Sequence, residues 1–177
     1  MLDSRSDPMA QVLLVCTGNI CRSPMAEGML RSALERRFGD GAPLLASAGT
    51  IARDGAPAMP EAVEAAAELG VDISGHSARR LRPEHVRTAG LIVAMAAGHK
   101  EDVVALVPEA EARTFTLKEL VRVLETSDPR PRDVDVMDPL GLSLEGYRAV
   151  ASELQDLCER LASGLSDGSA IASGRAD

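Results

Sequence analysis

Short apolar runs alternate with helix-like patterns along this chain, and this alternation constrains its fold more than any other feature of the sequence. Residues 12–15 and 91–95 are uninterrupted apolar runs, which are typical of strands that are buried on both faces. Residues 44–48 predict another strand, and residues 113–115 predict a short fourth one. Because strands that alternate with helices pair in parallel, we predict an α/β three-layer sandwich, with a four-stranded parallel sheet and helices on both faces.

Caps, helix breakers and apolar periodicity predict the helices between these strands. Ser23 and Pro24 are expected to be the N-cap and the first helical residue of a helix that Gly39 ends. The last helix should be long and amphipathic, since apolar residues recur at three- and four-residue spacing near the end of the chain. Besides the helix that begins at Ser23 and Pro24, four helices are predicted: at residues 60–69, at 100–107, from the capping box at 116–119 onwards, and the last one at 144–161.

Composition limits the class of protein. The chain has 177 residues, enough for one domain with its own core, and 2% of them are aromatic, so that core must be aliphatic. The polar, unpatterned residues 1–9 and 164–177 predict flexible tails on a single domain at residues 10–163. A net charge of −8 disfavours a nucleic-acid partner, because proteins that bind nucleic acid are normally basic.

The sequence also predicts where the protein works. Residues 1–10 carry charges and lack the apolar segment of a signal peptide, and the longest apolar stretch, at residues 91–97, is too short to cross a bilayer. Three cysteines without a secretion signal argue against a disulfide framework. We therefore expect a cytoplasmic protein with no membrane partner.

The eight residues after the first predicted strand carry the strongest chemical signal. They join a buried strand to a helix N-terminus, and they lie at the carboxyl end of the strand, where parallel sheets bind ligands. The eight residues are Cys16, Thr17, Gly18, Asn19, Ile20, Cys21, Arg22 and Ser23. Backbone N–H groups in such a turn can surround an anion, and Gly18 and Asn19 readily adopt the left-handed conformation that the turn requires. The fork of Arg22 matches two phosphate oxygens.

Cys16 stands at the mouth of this anion-binding turn. The same N–H groups and guanidinium that attract phosphate also favour the thiolate of Cys16, which makes it an activated nucleophile. The competing interpretation is an ordinary strand–helix turn with a buried cysteine. The spacing C-x5-R-S with an internal Gly-Asn favours the nucleophile, and no G-x-x-x-x-G-K-[ST] nucleotide loop is present.

Transfer of a phosphoryl group to sulfur also needs an acid for the leaving group and a base for the attacking water. Asp138 is the best candidate, because it lies in a predicted loop just before the last helix. Pro139 restricts the backbone there and biases Asp138 towards an extended conformation. A surface Asp-Pro turn explains the same dipeptide equally well on spacing alone.

Several separate motifs make the chain resemble the low-molecular-weight protein tyrosine phosphatase family, over roughly residues 11–162. VLLVCTGNICRSPMAE at 12–27 resembles the family's phosphate-loop signature, SAGT at 47–50 its second-strand motif and LIVAM at 91–95 its third strand. Asp138 lies where the family has its general acid. In classical tyrosine phosphatases the acid precedes the cysteine in sequence, and a histidine stands directly before the cysteine. In this chain Asp138 follows Cys16, and Val15 stands directly before Cys16.

The resemblance implies catalytic roles for three residues and no metal or organic cofactor. Cys16 would attack phosphorus and form a cysteinyl-phosphate, and Arg22 would bind the equatorial phosphate oxygens. Asp138 would protonate the leaving group and later activate water. The partners implied are a phosphorylated protein or peptide as substrate and inorganic phosphate as product.

The resemblance also implies supporting residues around the phosphate loop, which we define as residues 16–23. Ser23 would stabilise the leaving thiolate, and Asn19 would hold the left-handed turn through bonds to Ser47 and His76. Cys21 could form a reversible disulfide with the nucleophile and protect it from over-oxidation. Cys158 is expected in the core, on the apolar side of the last helix.

The substrate is less well specified. The best-known family members have one or two tyrosines after the Asp-Pro pair, whereas this chain has Leu140 and Gly141. TFTLKE at 114–119 and DPLGLS at 138–143 resemble a bacterial branch that includes protein arginine phosphatases, and that branch often has threonine where this chain has Ile20. Ile20 and Leu140 are expected to line the substrate pocket. A bulky apolar Ile20 suits a phenyl ring better than a guanidinium, so we favour phosphotyrosine, with phosphoarginine as the alternative.

Two further functions are less favoured. An arsenate reductase on this fold would need a relay of cysteines, and none lies between Cys21 and Cys158. A phosphopeptide-binding module could use the same anion-binding turn, but it would need neither Cys16 nor Asp138.

Overall fold

The computed structural model describes residues 11–126 and 133–166, and within them four strands form one parallel sheet, as predicted. The strands are β1 (Gln11–Cys16), β2 (Leu44–Gly49), β3 (Leu91–Ala94) and β4 (Thr114–Thr116), in the order β2-β1-β3-β4. Val15 is paired with Ala48 on one side and with Ala94 on the other. The carboxyl ends of the three strands therefore lie at one edge of the sheet.

Helices cover both faces of the sheet. The α-helices of the described residues are α1 (Arg22–Phe38), α2 (Pro60–Glu68), α3 (Pro83–Thr88), α4 (Ala97–Leu106), α5 (Leu117–Thr126) and α6 (Leu144–Ser166). Alternate side chains of a strand point to opposite faces, and β1 divides its residues accordingly. Leu14 packs in the core with α1, α2, α5 and α6, whereas Leu13 and Val15 pack on the other face with α3 and α4. This arrangement confirms the predicted three-layer sandwich.

The start of α1 differs from the sequence-based prediction. The helix begins at Arg22 with Cys21 in the N-cap position, so Ser23 is not the N-cap and Pro24 is the third helical residue rather than the first. Ser23 is fully buried, and its hydroxyl lies 2.9 Å from Cys16 Sγ. The serine is therefore used by the phosphate loop instead of by the helix end.

Two other helix boundaries were predicted wrongly because tertiary contacts set them, and one short helix was missed. Helix α4 begins at Ala97 rather than at residue 100, since the Ala97 N–H donates to Asp135 Oδ1 from a distant loop at 2.7 Å. Helix α3 has only six residues and was not predicted. Helix α6 continues to Ser166, beyond the predicted helical range of 144–161, because Leu165 packs against the core.

Some expectations fall on residues that the structure does not describe. The predicted tail at residues 1–9 lies outside the described residues, and so do residues 167–177 of the predicted second tail. Among residues 11–126 and 133–166, no helix is both long enough and apolar enough to span a membrane.

Candidate active site

The phosphate loop leaves the carboxyl end of β1 and enters α1 directly, at the edge where parallel sheets bind ligands. The segment after β2 holds its backbone in place. The Thr50 N–H donates to Cys16 O at 2.9 Å, and the Ile51 N–H donates to Thr17 O at 3.0 Å. The loop is therefore fixed by neighbouring backbone as well as by its own side chains.

Gly49, at the end of β2, lies against the phosphate loop so closely that a side chain would not fit. A Cβ atom there would lie 2.5 Å from Thr17 O and 2.8 Å from Asn19 N, both of them backbone atoms. Glycine is required at this position by the close approach of two backbone segments. This explains the glycine of the SAGT motif.

Asn19 is the left-handed residue of the loop, with φ of 54° and a fully buried side chain. Its Nδ2 donates to Ser23 Oγ at 2.8 Å and to Ser47 Oγ at 2.9 Å. His76 Nε2 lies 2.7 Å from Asn19 O, so both residues expected to support the loop contact Asn19. The expectation for Gly18 was wrong, because its φ is not positive and the turn depends on Asn19 instead.

Two charged residues extend this support and were not predicted from the sequence. The Arg79 N–H donates to Asn19 Oδ1 at 2.9 Å, and Arg79 Nε donates to Ser47 O at 2.7 Å. Ser47 Oγ donates to Glu27 Oε2 at 2.5 Å. Glu27 lies on α1 and Arg79 on the segment after α2, so their place beside Ser47 depends on how these two elements pack against β2.

Cys16 is buried at the base of the loop, and two groups approach its sulfur. Ser23 Oγ lies 2.9 Å from Sγ, and the Asn19 N–H donates to Sγ at 3.3 Å. Donors that point at sulfur stabilise the thiolate, which is the nucleophilic form. The geometry around Cys16 is therefore suited to a nucleophile and to a leaving thiolate.

Arg22 is buried, and its guanidinium is held from several sides. Nη1 donates to Val136 O at 3.0 Å, and Nη2 donates to Asp138 Oδ2 at 3.1 Å and to Thr17 Oγ1 at 3.4 Å. These bonds fix the orientation of the guanidinium fork. Cys16, Arg22 and Asp138 thus come together in one site, although Asp138 is more than 110 residues away in sequence.

The segment that carries Asp138 is anchored to the end of β3. The Val136 N–H donates to Met95 O at 2.7 Å, and the Leu140 N–H donates to Asp138 Oδ1 at 3.1 Å. Asp138 itself is about half exposed, with its side chain 47% accessible. The carboxyl group is therefore held at the mouth of the site, where it can meet both a leaving group and water.

A pocket of about 150 Å³ opens above Cys16. Its lining residues are Cys16, Thr17, Gly18, Ile20, Cys21, Arg22, Ile51, Asp138 and Leu140. Both predicted pocket residues, Ile20 and Leu140, are present, and Ile51 was missed. Ile51 is 68% exposed, and its place directly after the SAGT motif was the only sequence signal available.

The other two cysteines differ from Cys16 in their surroundings. Cys21 Sγ lies 3.4 Å from the hydroxyl of Tyr147, and burial raises the pKa of Cys21 to about 11. Cys158 is buried on α6, where burial raises its pKa to about 12. Neither thiol is therefore ionised at neutral pH, and Cys158 packs in the core. In the described part of the chain, no cluster of three or more histidine, cysteine or carboxylate side chains could hold a metal ion.

Comparison with known proteins gives a family match across most of the chain. The model of the family described as low molecular weight phosphotyrosine protein phosphatase matches residues 11–170. A protein-arginine-phosphatase of Geobacillus stearothermophilus is 39% identical over 155 residues, which cover 88% of this chain and 95% of the relative. A probable low molecular weight protein-tyrosine-phosphatase of Ralstonia solanacearum is 37% identical over 147 residues, which cover 82% of this chain and 97% of the relative.

Solved structures agree with this match. An arginine phosphatase from Geobacillus stearothermophilus superposes with a TM-score of 0.77 at 38% identity, covering 89% of this chain and 93% of that one. A low molecular weight protein tyrosine phosphatase from T. tengcongensis superposes with a TM-score of 0.72 at 42% identity, covering 85% of this chain and 96% of that one. Sequence and fold therefore agree that this protein is a phosphatase of the low molecular weight protein tyrosine phosphatase family.

Proposed function

We propose that this protein hydrolyses phosphotyrosine in proteins through a cysteinyl-phosphate on Cys16. The observation that carries this proposal is the pocket itself, in which the cysteine and the arginine fork lie at the base and apolar side chains form the walls. Ile20, Ile51 and Leu140 supply those walls. A phosphate group fits the base by charge, and a phenyl ring fits the walls by burial of apolar surface.

In the first step the Cys16 thiolate attacks phosphorus, and the bond from phosphorus to the phenolic oxygen breaks. The hydroxyl of Ser23 and the N–H of Asn19 hold the thiolate until the attack. The guanidinium of Arg22 stabilises the charge on the equatorial phosphate oxygens. Asn19 Nδ2 holds the hydroxyl of Ser23, and Val136 O holds the guanidinium of Arg22, so little reorganisation of these groups is needed during the reaction.

Asp138 changes partner when substrate binds. In the structure its Oδ2 accepts a hydrogen bond from Arg22 Nη2. A bound phosphoryl group competes for the same N–H, which frees the carboxyl group to face the leaving oxygen. In its acid form, Asp138 donates a proton to that oxygen and becomes a carboxylate. In the second step this carboxylate takes a proton from the attacking water, the bond from phosphorus to Cys16 Sγ breaks, and inorganic phosphate is released.

The charges around the pocket favour a phenyl ring over a guanidinium. Among the described residues that line the pocket, Asp138 is the single carboxylate, and the mechanism above already uses it as the acid for the leaving group. A guanidinium side chain buried against Ile20 and Leu140 would lose hydration without gaining a second acidic partner. An uncharged aromatic ring carries no such desolvation penalty.

Protein arginine phosphatase activity is the second candidate, and the relatives favour it. The chain is 39% identical to a protein named protein-arginine-phosphatase in Geobacillus stearothermophilus and 36% identical to another in Bacillus subtilis. On this alternative, Asp138 protonates the departing guanidino nitrogen, and the cysteinyl-phosphate is the same.

A comparison of kcat/KM on two peptides of identical sequence, one with phosphotyrosine and one with phosphoarginine, tests the substrate. We expect at least tenfold preference for phosphotyrosine, and a tenfold preference for phosphoarginine would overturn it. Ile20→Thr should reduce activity on the phosphotyrosine peptide more than on the phosphoarginine peptide. Cys16→Ser is the control for the mechanism, and activity equal to wild type in that variant would refute the cysteinyl-phosphate.

The role of Asp138 is tested with aryl phosphates of different leaving-group pKa. Asp138→Asn cannot donate a proton, so it should slow poor leaving groups much more than activated ones. An equal loss on both kinds of substrate would exclude Asp138 as the acid.

We also propose that the enzyme acts in the cytoplasm, because a reducing compartment keeps its three free thiols intact.

A further inference from the structure

His99 is a buried histidine beside the active site that the mechanism above does not use. It lies on α4 and is 7% exposed. Its Nε2 is 2.8 Å from Thr17 Oγ1, the hydroxyl next to the nucleophile in sequence. Its Nδ1 is buried and has no hydrogen-bond partner in the described structure. A buried polar ring with one free nitrogen requires an explanation.

The surroundings of His99 favour its uncharged form. Burial is the largest influence and lowers the pKa of the ring below the usual histidine range, and the charge of Arg22 lowers it further. The charged groups that act in the opposite direction are the carboxylates Asp102, Asp135 and Asp138. A protonated imidazole would also carry a second N–H on the unpartnered Nδ1. Burial and the lack of an acceptor for a second N–H therefore both favour the neutral ring.

The position of the single ring proton follows from the two nitrogens. A buried N–H without an acceptor is rarer and costlier than a buried acceptor without a donor. The proton therefore belongs on Nε2, which has a partner, and Nδ1 is left with a bare lone pair. In this tautomer Nε2–H donates to Thr17 Oγ1.

Thr17 Oγ1 then receives two donors, because Arg22 Nη2 also approaches it at 3.4 Å. A hydroxyl has two acceptor lone pairs and one hydrogen. With both lone pairs used, the hydrogen must find an acceptor elsewhere, and Thr17 lines the pocket. A phosphoryl oxygen in that pocket is an acceptor of suitable charge.

We propose that His99 is a positioning residue that turns the hydroxyl of Thr17 towards a non-bridging oxygen of the bound phosphoryl group. The inference rests on the phosphatase mechanism proposed above, but it holds for either substrate because the phosphoryl group is common to both. Thr17 becomes a further phosphate-binding donor, and the imidazole of His99 sets its direction from behind.

The tautomer can be measured directly on the unmodified protein. The chain has three histidines, so ¹⁵N labelling of the imidazoles gives three ring spin systems, and loss of one in His99→Gln assigns it. At pH 7 we expect His99 to be neutral, with its proton on Nε2. A proton on Nδ1, or a doubly protonated ring, would overturn the proposal.

Binding of inorganic phosphate tests the consequence without any turnover. The titration is made in the Cys16→Ser background, so its result is independent of whether the enzyme hydrolyses phosphotyrosine. Thr17→Val and His99→Phe should each weaken phosphate binding at least tenfold, the loss expected for one hydrogen bond to a charged group. His99→Gln keeps an N–H near the position of Nε2 and should recover most of the affinity.

The double variant Thr17→Val with His99→Phe separates positioning from a general structural effect. Because His99 acts through Thr17, the double variant should bind phosphate no more weakly than Thr17→Val alone. His85→Phe, on α3, is the matched histidine control and should leave the affinity unchanged. Unchanged affinity in Thr17→Val, or fully additive losses in the double variant, would refute the proposal.

Discussion

Replacement of Asn19 by alanine is the sharpest test of how the phosphate loop is held. The side chain of Asn19 is fully buried and makes three hydrogen bonds, to Ser23 Oγ, to Ser47 Oγ and from the Arg79 N–H. Its backbone has φ of 54°, where a Cβ atom is strained in most residues. Asn19→Ala removes all three bonds and places in the left-handed region a residue that tolerates it less well than asparagine.

The expected cost follows from these two contributions. Three buried hydrogen bonds at about 1 kcal/mol each give about 3 kcal/mol. Alanine in the left-handed region adds about 1 kcal/mol, because it lacks the local hydrogen bonding that lets asparagine tolerate this conformation. Asn19→Ala should therefore lower the free energy of unfolding by about 4 kcal/mol.

Two further variants separate the contributions. Asn19→Gly loses the same bonds without the strain, so it should be about 1 kcal/mol more stable than Asn19→Ala. Gly70→Ala places a Cβ at φ of 80° with no neighbouring atom within 4 Å, so it reports the backbone strain alone. Its expected cost is about 1 kcal/mol.

Urea unfolding followed by far-ultraviolet circular dichroism measures all three variants, and linear extrapolation gives the free energies. The same samples are assayed on an aryl phosphate, because loss of the turn should also misplace the loop N–H groups. A cost below about 1.5 kcal/mol for Asn19→Ala would refute the hydrogen-bond reasoning. Asn19→Gly as unstable as Asn19→Ala would refute the strain reasoning.

Two more perturbations are expected to act on the loop. Gly49→Ala puts a Cβ 2.5 Å from Thr17 O, so the loop must move and kcat/KM should fall at least tenfold. Gly41→Ala is the control and should retain activity, because a Cβ there meets no atom within 4 Å. A fully active Gly49→Ala would contradict the close approach of the two backbone segments. Peroxide should oxidise Cys16 to a sulfenic acid, from which the Cys21 thiolate displaces hydroxide to form a disulfide. Because burial raises the pKa of Cys21 to about 11, the rate of crosslinking should rise with pH up to that value, as measured by peptide mapping with Cys158→Ser as control. A pH-independent rate, or no crosslink, would exclude Cys21 as the resolving thiol.

The fold could be predicted from the sequence because its signals are local. The apolar runs of β1 and β3 are uninterrupted, and helical patterns separate them, so the parallel sheet and its two helical layers follow from periodicity. Boundaries were less accurate where a distant group decides them. Helix α4 begins at Ala97 because Asp135 accepts its N–H, and nothing within α4 itself indicates this contact.

The phosphate loop shows the same division within eight residues. Cys16 and Arg22 were recognisable because their spacing in a strand–helix turn is characteristic. Local preference assigned Ser23 to a helix cap, whereas the structure uses its hydroxyl beside Cys16 Sγ. Propensity alone could not distinguish these roles, because a serine at a helix start satisfies either one.

The sequence by itself therefore determined the sheet, and it indicated Cys16, Arg22 and Asp138 as candidate site residues, since these signals are short motifs of residues close together in the chain. Only the tertiary structure brought Asp138 into contact with Arg22 and His99 into contact with Thr17. It also placed Glu27 and Arg79 behind the phosphate loop. Those contacts join residues on different elements. Their distances depend on how helices and loops pack around the sheet edge, which no local pattern encodes.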